Sequence, residues 1–518
     1  MKIKTVLSLV LVTVFLLGAC SPGTGGTTTT VQNQVQTESQ TENTQTARDD
    51  LNIAYPYLPL SLDPQGYDDV MTESILENIY QTLVDTDEAG TIIPGVAESW
   101  DISADGLEYI FHITKNGHFE NGDPVTAEDV KFTLERCTTS PVVQSYFSYI
   151  DTVEIVDEAT IKVTLKHASE PFLRLAAAYS GITSKKYVEG TATPFVTETM
   201  GCGAYKMVEY LQDDKFIVTR NDGYNGKPAA IKDVVFKKIT NASTAAIALE
   251  AGELDMLVNP DPDDLERLRN DPRLAVAEGS GFMNSLMGFN CTAAPFDNVL
   301  VRQAVAYALD KEEINIGAAN GLATIADSHM PEGVPGYLPE VKTWTRDVEK
   351  AKQLLTEAGY PDGFSTKVLL PVNKQAFAEV LQAQLREVGI DAQLEILESA
   401  AYYDAKGKGQ FDIFLGGWGY ICQDADVYIY DMCKTDRVTA GNYGSYSNAR
   451  VDELVAEARV SNDQKRRAEC YEEVNLIISE EYPTIPFVWN HFSLVYDKDI
   501  KNVVPHRNEM WCIYRYSW

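Results

Sequence analysis

Apolar and polar positions along this chain alternate between two periods. "LEYIFHIT" places Leu107, Tyr109, Phe111 and Ile113 on one side at period two, the pattern of a half-buried strand. "NGD" then turns the chain, and "PVTAEDVKFTLERC" carries the spacing of a helix. Thr126 is its predicted N-cap and Asp129 follows three residues later, a capping box with Asp in place of Glu. "STAAIALEAGELDML" predicts a helix stopped at Gly252 and followed by a strand.

The second half repeats helix and strand. "VLVRQAVAYALDKEEI" and "DVEKAKQLLTEAGY" predict helices, the latter closed by Gly359. "TKVLLP" reads as a strand, "KQAFAEVLQAQLREVG" as a helix ending at Gly389, and "DAQLEILE" as a strand. Strand, crossover helix and strand imply a parallel sheet covered by helices, hence an α/β fold. "FDIFLGGWG" is a further strand whose glycine-rich end projects at a sheet edge or cleft, and "ARVDELVAEARV" and "NDQKRRAECYEEVNLIISEE" add two helices. No repeat of solenoid length is present.

The N-terminus follows other rules. Lys2 and Lys4 precede an apolar run from Val6 to Leu17, and Leu17-Gly18-Ala19-Cys20 resembles a bacterial lipobox, whose cysteine is lipidated and becomes the first mature residue. A membrane span needs roughly 20 apolar residues, and this run is shorter. Residues 1–19 are therefore read as a signal peptide. Residues 20–50 are read as a disordered tether, rich in Thr, Gln, Ser and Gly and too poor in apolar residues to offset ordering entropy. A protein held at the outer face of a membrane has no nucleotide cofactors at hand, which favours binding over kinase or dehydrogenase chemistry.

The body from about 51 to 518 is long enough for two lobes, and the chain is 44% hydrophobic. The formal charge of −33 makes nucleic acid and anionic lipid head groups poor partners and keeps an exported protein soluble. Of the 8 cysteines, seven remain besides Cys20: Cys137, Cys202, Cys291, Cys422, Cys433, Cys470 and Cys512. No CxxC occurs. Cys422 and Cys433 bracket a short loop and are the best disulfide candidates, with buried free thiols the alternative. GxSxG, HExxH, P-loop and strand–GxGxxG–helix signatures are absent, and the 6 histidines do not cluster. Neither an enzyme nor a cofactor or metal site is indicated.

Long ordered segments then point to one family. "SLDP", "PGVAESWDISADGLEYIFHITKNGHFENGDPVTAEDVKFTLER", "GCGAYKMVEY", "AIALEAGELDML", "FNCTAAPFDNVLVRQAVAYALDKEEI", "AKQLLTEAGYPDGF" and "GGWGYICQDADVYIYDMC" resemble family 5 extracellular solute-binding proteins, the oligopeptide, dipeptide and nickel receptors of ABC importers. The resemblance implies a Venus flytrap of two α/β lobes with ligand enclosed between them. Lobe I would take 51–287 with an inserted subdomain at about 95–225, lobe II 288–487, and 488–518 would return to lobe I. Hinge crossings are expected near Gly288 to Cys291 and Pro486 to Asn490. The implied partners are a peptide or small-molecule ligand and the transmembrane subunits of a permease. The implied setting is the extracellular face of the membrane or the periplasm, with a monomeric receptor.

Gly416, Gly417 and Gly419 around Trp418 let backbone approach a ligand closely, and the indole offers a rigid apolar surface. The resemblance adds Asn442, Tyr443 and Tyr57, with Tyr146 as a further candidate. Where peptide-binding members carry an aspartate that neutralises the ligand's α-amino group, this chain has Ile421. Asp424 and Asp426 lie nearby as replacements; otherwise the ligand has no free amino terminus. An oligosaccharide or metal-chelate receptor is the alternative within the binding class, and an extracellular enzyme or adhesin the alternative outside it.

Overall fold

The computed structural model describes residues 48–518 apart from 68, 88–89, 170, 340, 342–343, 421–423, 438–440, 462 and 506–510. The signal segment, Cys20, nearly all of the tether, Ile421 and Cys422 lie outside the described residues.

Two long strands, Leu274–Phe289 and Thr484–Asp497, pair antiparallel and form the spine of an 11-stranded mixed sheet. On one side the sheet continues through Met256–Val258, Asp50–Tyr55, Asp233–Lys238, Lys215–Arg220 and Tyr205–Leu211, forming lobe I. On the other it continues through Ile413–Gly416, Phe364–Pro371 and Ile390–Leu397, forming lobe II. Phe364–Pro371 and Ile390–Leu397 are parallel from Phe364 opposite Ile390 to Pro371 opposite Leu397, with helix Gln375–Glu387 as the crossover. The glycines predicted to end helices do so in the left-handed region, at φ 75° for Gly252, 92° for Gly359 and 85° for Gly389.

The register of the spine breaks between Ser280 and Asn284. Gly288 and Phe289 pair with Phe414 and Ile413 inside lobe II. Gly288 is needed there: any side chain on it would collide with the Phe414 ring.

A separate antiparallel sheet of 4 strands, ordered Ala97–Ile102, Glu108–Ile113, Thr160–Leu165 and Ile150–Asp157, forms the insert in lobe I. Helix Ala127–Thr139 packs on it and buries Val130, Leu134 and Cys137 among Phe111, Phe147 and Phe172. Burying each large apolar side chain contributes about 1.5–3 kcal/mol. The capping box is present: Asp129 N donates to Thr126 Oγ1 at 3.3 Å and Thr126 N donates to Asp129 Oδ2 at 3.0 Å. Within the expected 95–225, the hairpin Tyr205–Leu211 and Lys215–Arg220 pairs with the main sheet beside Asp233–Lys238.

In lobe II helices cover both sheet faces. Met287, Val368, Ile413, Leu415 and Phe487 face one layer, and Leu286, Leu369 and Phe414 the other. The C-terminal tail returns to lobe I, where Trp511 N donates to Ser74 Oγ at 3.3 Å and Trp518 Nε1 donates to the Asp50 carbonyl at 2.9 Å. Among the described residues no helix is long and apolar enough to cross a membrane.

Candidate functional site

The strand Ile413–Gly416 runs into Gly417, Trp418 and Gly419 at the middle of the spine. Asn284, fully buried, ties this loop down through both backbone groups of Trp418. Trp418 N donates to Asn284 Oδ1 at 2.9 Å and Asn284 N donates to the Trp418 carbonyl at 2.9 Å. Tyr420 N then donates to the Phe282 carbonyl at 3.1 Å. Because successive residues of an extended chain point their amides to opposite sides, Trp418 and Tyr420 face the spine while the N–H and C=O of Gly417 and Gly419 face away. Those groups make no hydrogen bond to a described residue. A side chain on Gly417 would collide with the Asn284 carbonyl, so the close approach requires glycine.

The Trp418 indole is half-buried against the apolar cluster of lobe II, and Tyr443 packs on the same cluster. Tyr57 sits in lobe I just after the strand Asp50–Tyr55, with its hydroxyl donating to Asp69 Oδ1 at 3.2 Å. Burial pushes its phenol up, and Asp69 and Tyr403 of lobe II add to the effect. The two lobes meet where Val427 of helix Ala425–Cys433 enters the apolar cluster of the insert. Tyr146 belongs to that insert, stacked on Tyr179 with ring centroids 4.8 Å apart.

Three expected site residues serve the architecture of lobe II. Asp424 caps helix Ala425–Cys433 by accepting from Asp426 N at 2.8 Å, and it is gripped by Arg467. Burial pushes its carboxyl up, but the Arg467 charge and hydrogen bonds outweigh this and hold it below the usual range. Asp426 pairs with Arg459 at 3.1 Å and accepts from Tyr471 Oη at 3.0 Å; burial nevertheless keeps it above the usual range. Asn442, 1% exposed, shapes its own loop by donating to the Lys434 and Tyr446 carbonyls and accepting from Tyr446 N. These carboxylates and this amide thus have partners within lobe II. Cys433 is likewise a buried free thiol at the end of its helix, so the expected bridge to Cys422 is not formed there.

Lys406 was not foreseen. It lies in helix Ser399–Gly407, almost fully buried, with Tyr402, Tyr403, Phe414 and Tyr443 around its ammonium. The sequence carries one signal for it: Tyr402 and Tyr403 stand one turn earlier on the same helix, at the spacing where side chains meet. A polar cavity of about 60 Å³ lined by Glu73, Glu77, Asp85, Arg174 and Tyr514 lies wholly within lobe I. It is remote in composition from the Trp418 loop, since no lobe II residue lines it. Among the described residues no group of His, Cys, Asp and Glu side chains is arranged to hold a metal ion.

Comparison with known proteins agrees with this architecture. Heme-binding protein A of Haemophilus influenzae is 29% identical, with 94% of each chain covered. Di/tripeptide-binding protein 1 of Pseudomonas aeruginosa is 31% identical over 83% of this chain and 86% of its own. Among solved structures, the periplasmic binding protein DppA of Helicobacter pylori in complex with peptide STSA superposes with a TM-score of 0.83 at 28% identity, covering 91% of this chain and 98% of that one. The profile of the bacterial extracellular solute-binding proteins, family 5 Middle, matches residues 91–439, and the chain belongs to that family.

Proposed function

We propose that this protein is the lipid-anchored receptor of an ABC importer, which captures a short peptide or related small solute between its lobes and delivers it to a permease without chemical turnover. The observation that carries the reading is the free edge at Gly417 and Gly419. Backbone donors and acceptors exposed beside a half-buried indole, at the point where the sheet changes lobes, suit an extended ligand that adds as a strand. The ligand drives closure only through its better fit to the closed state. Relatives named as di/tripeptide- and dipeptide-binding proteins support the peptide class. Cys20 supplies the anchor, holding a monomeric receptor at the outer membrane face.

One observation favours a ligand without a free amino terminus. Ile421 stands at the amine-anchoring position, and Asp424 and Asp426 are both held by arginines. An unpaired buried ammonium is costly by several kcal/mol. An N-blocked peptide, an oligosaccharide or a chelate avoids it, and the relatives include proteins named for heme and glutathione.

Native mass spectrometry of freshly purified protein, followed by calorimetry with free and N-acetylated peptides, tests the reading. Retained or titrated peptide supports it. Binding of only a saccharide or metal chelate shifts the assignment within the receptor class, and turnover of a bound solute would overturn it.

A further inference from the structure

The buried or half-buried cations of lobe II other than Lys406 have oxygen partners, Arg302 among them through the Glu481 and Phe296 carbonyls. Arg467 has Asp424, Arg459 has Asp426, Arg437 has Asp431, and Lys311 donates to the Ala326 carbonyl and meets Asp327. Lys406 departs from this pattern. It is 6% exposed, and its Nζ lies 4.3 Å from the Tyr443 ring centroid, 4.9 Å from Tyr403, 5.2 Å from Tyr402 and 5.4 Å from Phe414. No carboxylate among the described residues pairs with it, and burial is the sole influence on its titration. Each ring face attracts a cation by about 0.5–2 kcal/mol, against several kcal/mol for burying an ammonium, so the rings hold the charge without giving it a counter-ion.

The cage is also placed where a ligand arrives. Tyr403 stands near enough to Tyr57 of lobe I to help push its phenol up. Tyr402 Oη donates to the Leu415 carbonyl at 2.7 Å, which sets the cage against the strand that delivers Gly417. Tyr443 shares the apolar cluster on which Trp418 rests.

The geometry points to Lys406 as the anion anchor of the cleft, pairing with a carboxylate borne by the ligand beside the Tyr443 ring. This rests on reading the cleft as a solute site, and it adds the charge the solute carries. The carboxylate is either a peptide's own C-terminus or an acidic side chain. Burial lowers the Lys406 ammonium to about 8, and a bound anion raises it again, so binding near pH 8 takes up protons.

The test titrates ligand-stripped full-length receptor by calorimetry with trialanine, trialanine amide, Ala-Glu-Ala amide, succinate and raffinose, at pH 8 in two buffers of different ionisation enthalpy. The expected result is that a carboxylate-bearing probe binds at least about tenfold tighter than trialanine amide, with proton uptake. Lys406→Met abolishes both differences, and Lys406→Arg restores the preference. Trialanine above Ala-Glu-Ala amide identifies the C-terminus, and the reverse order the side chain. Succinate bound alone, in a Lys406-dependent way, keeps the anchor and removes the peptide reading. Trialanine, Ala-Glu-Ala amide and trialanine amide all binding equally, to wild type and Lys406→Met alike, keep the peptide reading and overturn the anchor. Raffinose bound alone, or no carboxylate probe bound, overturns both. Far-UV circular dichroism confirms the variants' fold, and Lys406→Gln replaces Lys406→Met if the latter does not fold.

Discussion

Arg467 meets Asp424 through two hydrogen bonds of 2.7 Å, Nη1 to Oδ2 and Nη2 to Oδ1, with neither side chain more than 2% exposed. A fork of this kind is strong and geometrically selective. It joins helix Gln464–Glu481 to the N-terminus of helix Ala425–Cys433, whose far side docks on the insert of lobe I through Val427. The pair therefore sets the position of the lobe II surface that closes on lobe I.

Removing one partner leaves the other charge buried and alone. Arg467→Met is expected to lower stability by about 3–5 kcal/mol, read by denaturant unfolding. Asp424→Asn should destabilise as well, yet leave the affinity of the folded receptor for its solute within about twofold, because the carboxylate is not offered to the cleft. A selective loss of peptide affinity in Asp424→Asn, with stability intact, would reverse that assignment.

Much of this architecture is legible locally. Thr126 and Asp129 announce their helix, Gly252, Gly359 and Gly389 announce helix ends, and the strand–helix–strand order from Phe364 to Leu397 announces the parallel sheet. What escapes local reading is long-range pairing. Asp424 and Arg467 are 43 positions apart, so nothing near Asp424 shows that its charge is already used. Lys406 resembles the exposed Lys408 two residues on until folding brings Phe414 and Tyr443 around it. Gly288 reads as a hinge glycine, whereas its bare Cα makes room for the Phe414 ring.

The Trp418 loop makes two variants informative. Trp418→Ala should lose roughly 2 kcal/mol of affinity, about thirtyfold, with little change in fold, as a central aromatic anchor does. Gly417→Ala forces the loop off the Asn284 carbonyl and displaces the free edge, so it should weaken binding with a smaller loss of apolar contact. Calorimetry beside thermal melts separates these effects, and unchanged affinity in both variants would remove the loop from the site.

Anchoring follows from the segment ending at Cys20. Mature protein should begin at an acylated Cys20 and partition with membranes, and Cys20→Ala should accumulate as unprocessed precursor, both visible by mass spectrometry of fractionated cells. Wild-type protein recovered in soluble form with another N-terminus would defeat this. Thiol counting on denatured, unreduced protein should also find Cys433 free.

The last expectation concerns pH and needs no ligand. Lys406 titrates at about 8 in the folded chain because burial disfavours its ammonium, against about 10.4 when unfolded. For a base lowered on folding, the folded state releases its proton first. Below pH 8 both states are protonated and the penalty of burying the charge is constant. Between about 8 and 10.4 the unfolded chain keeps a proton that the folded chain has lost, so stability rises with pH by up to about 1.4 kcal/mol per unit. Lys311 is lowered to about 8 as well and contributes to every variant that retains it. The measurement is therefore a difference between wild type and Lys406→Met, from denaturant unfolding of ligand-stripped protein at pH 7 to 9.5. Wild type should gain on the variant by about 1.6 kcal/mol between pH 8 and 9.5, with little relative change from pH 7 to 7.5. A flat difference across the whole range would mean that the ammonium is already hydrated or paired in the free receptor, and the cleft would then hold no unsatisfied charge for a carboxylate to meet.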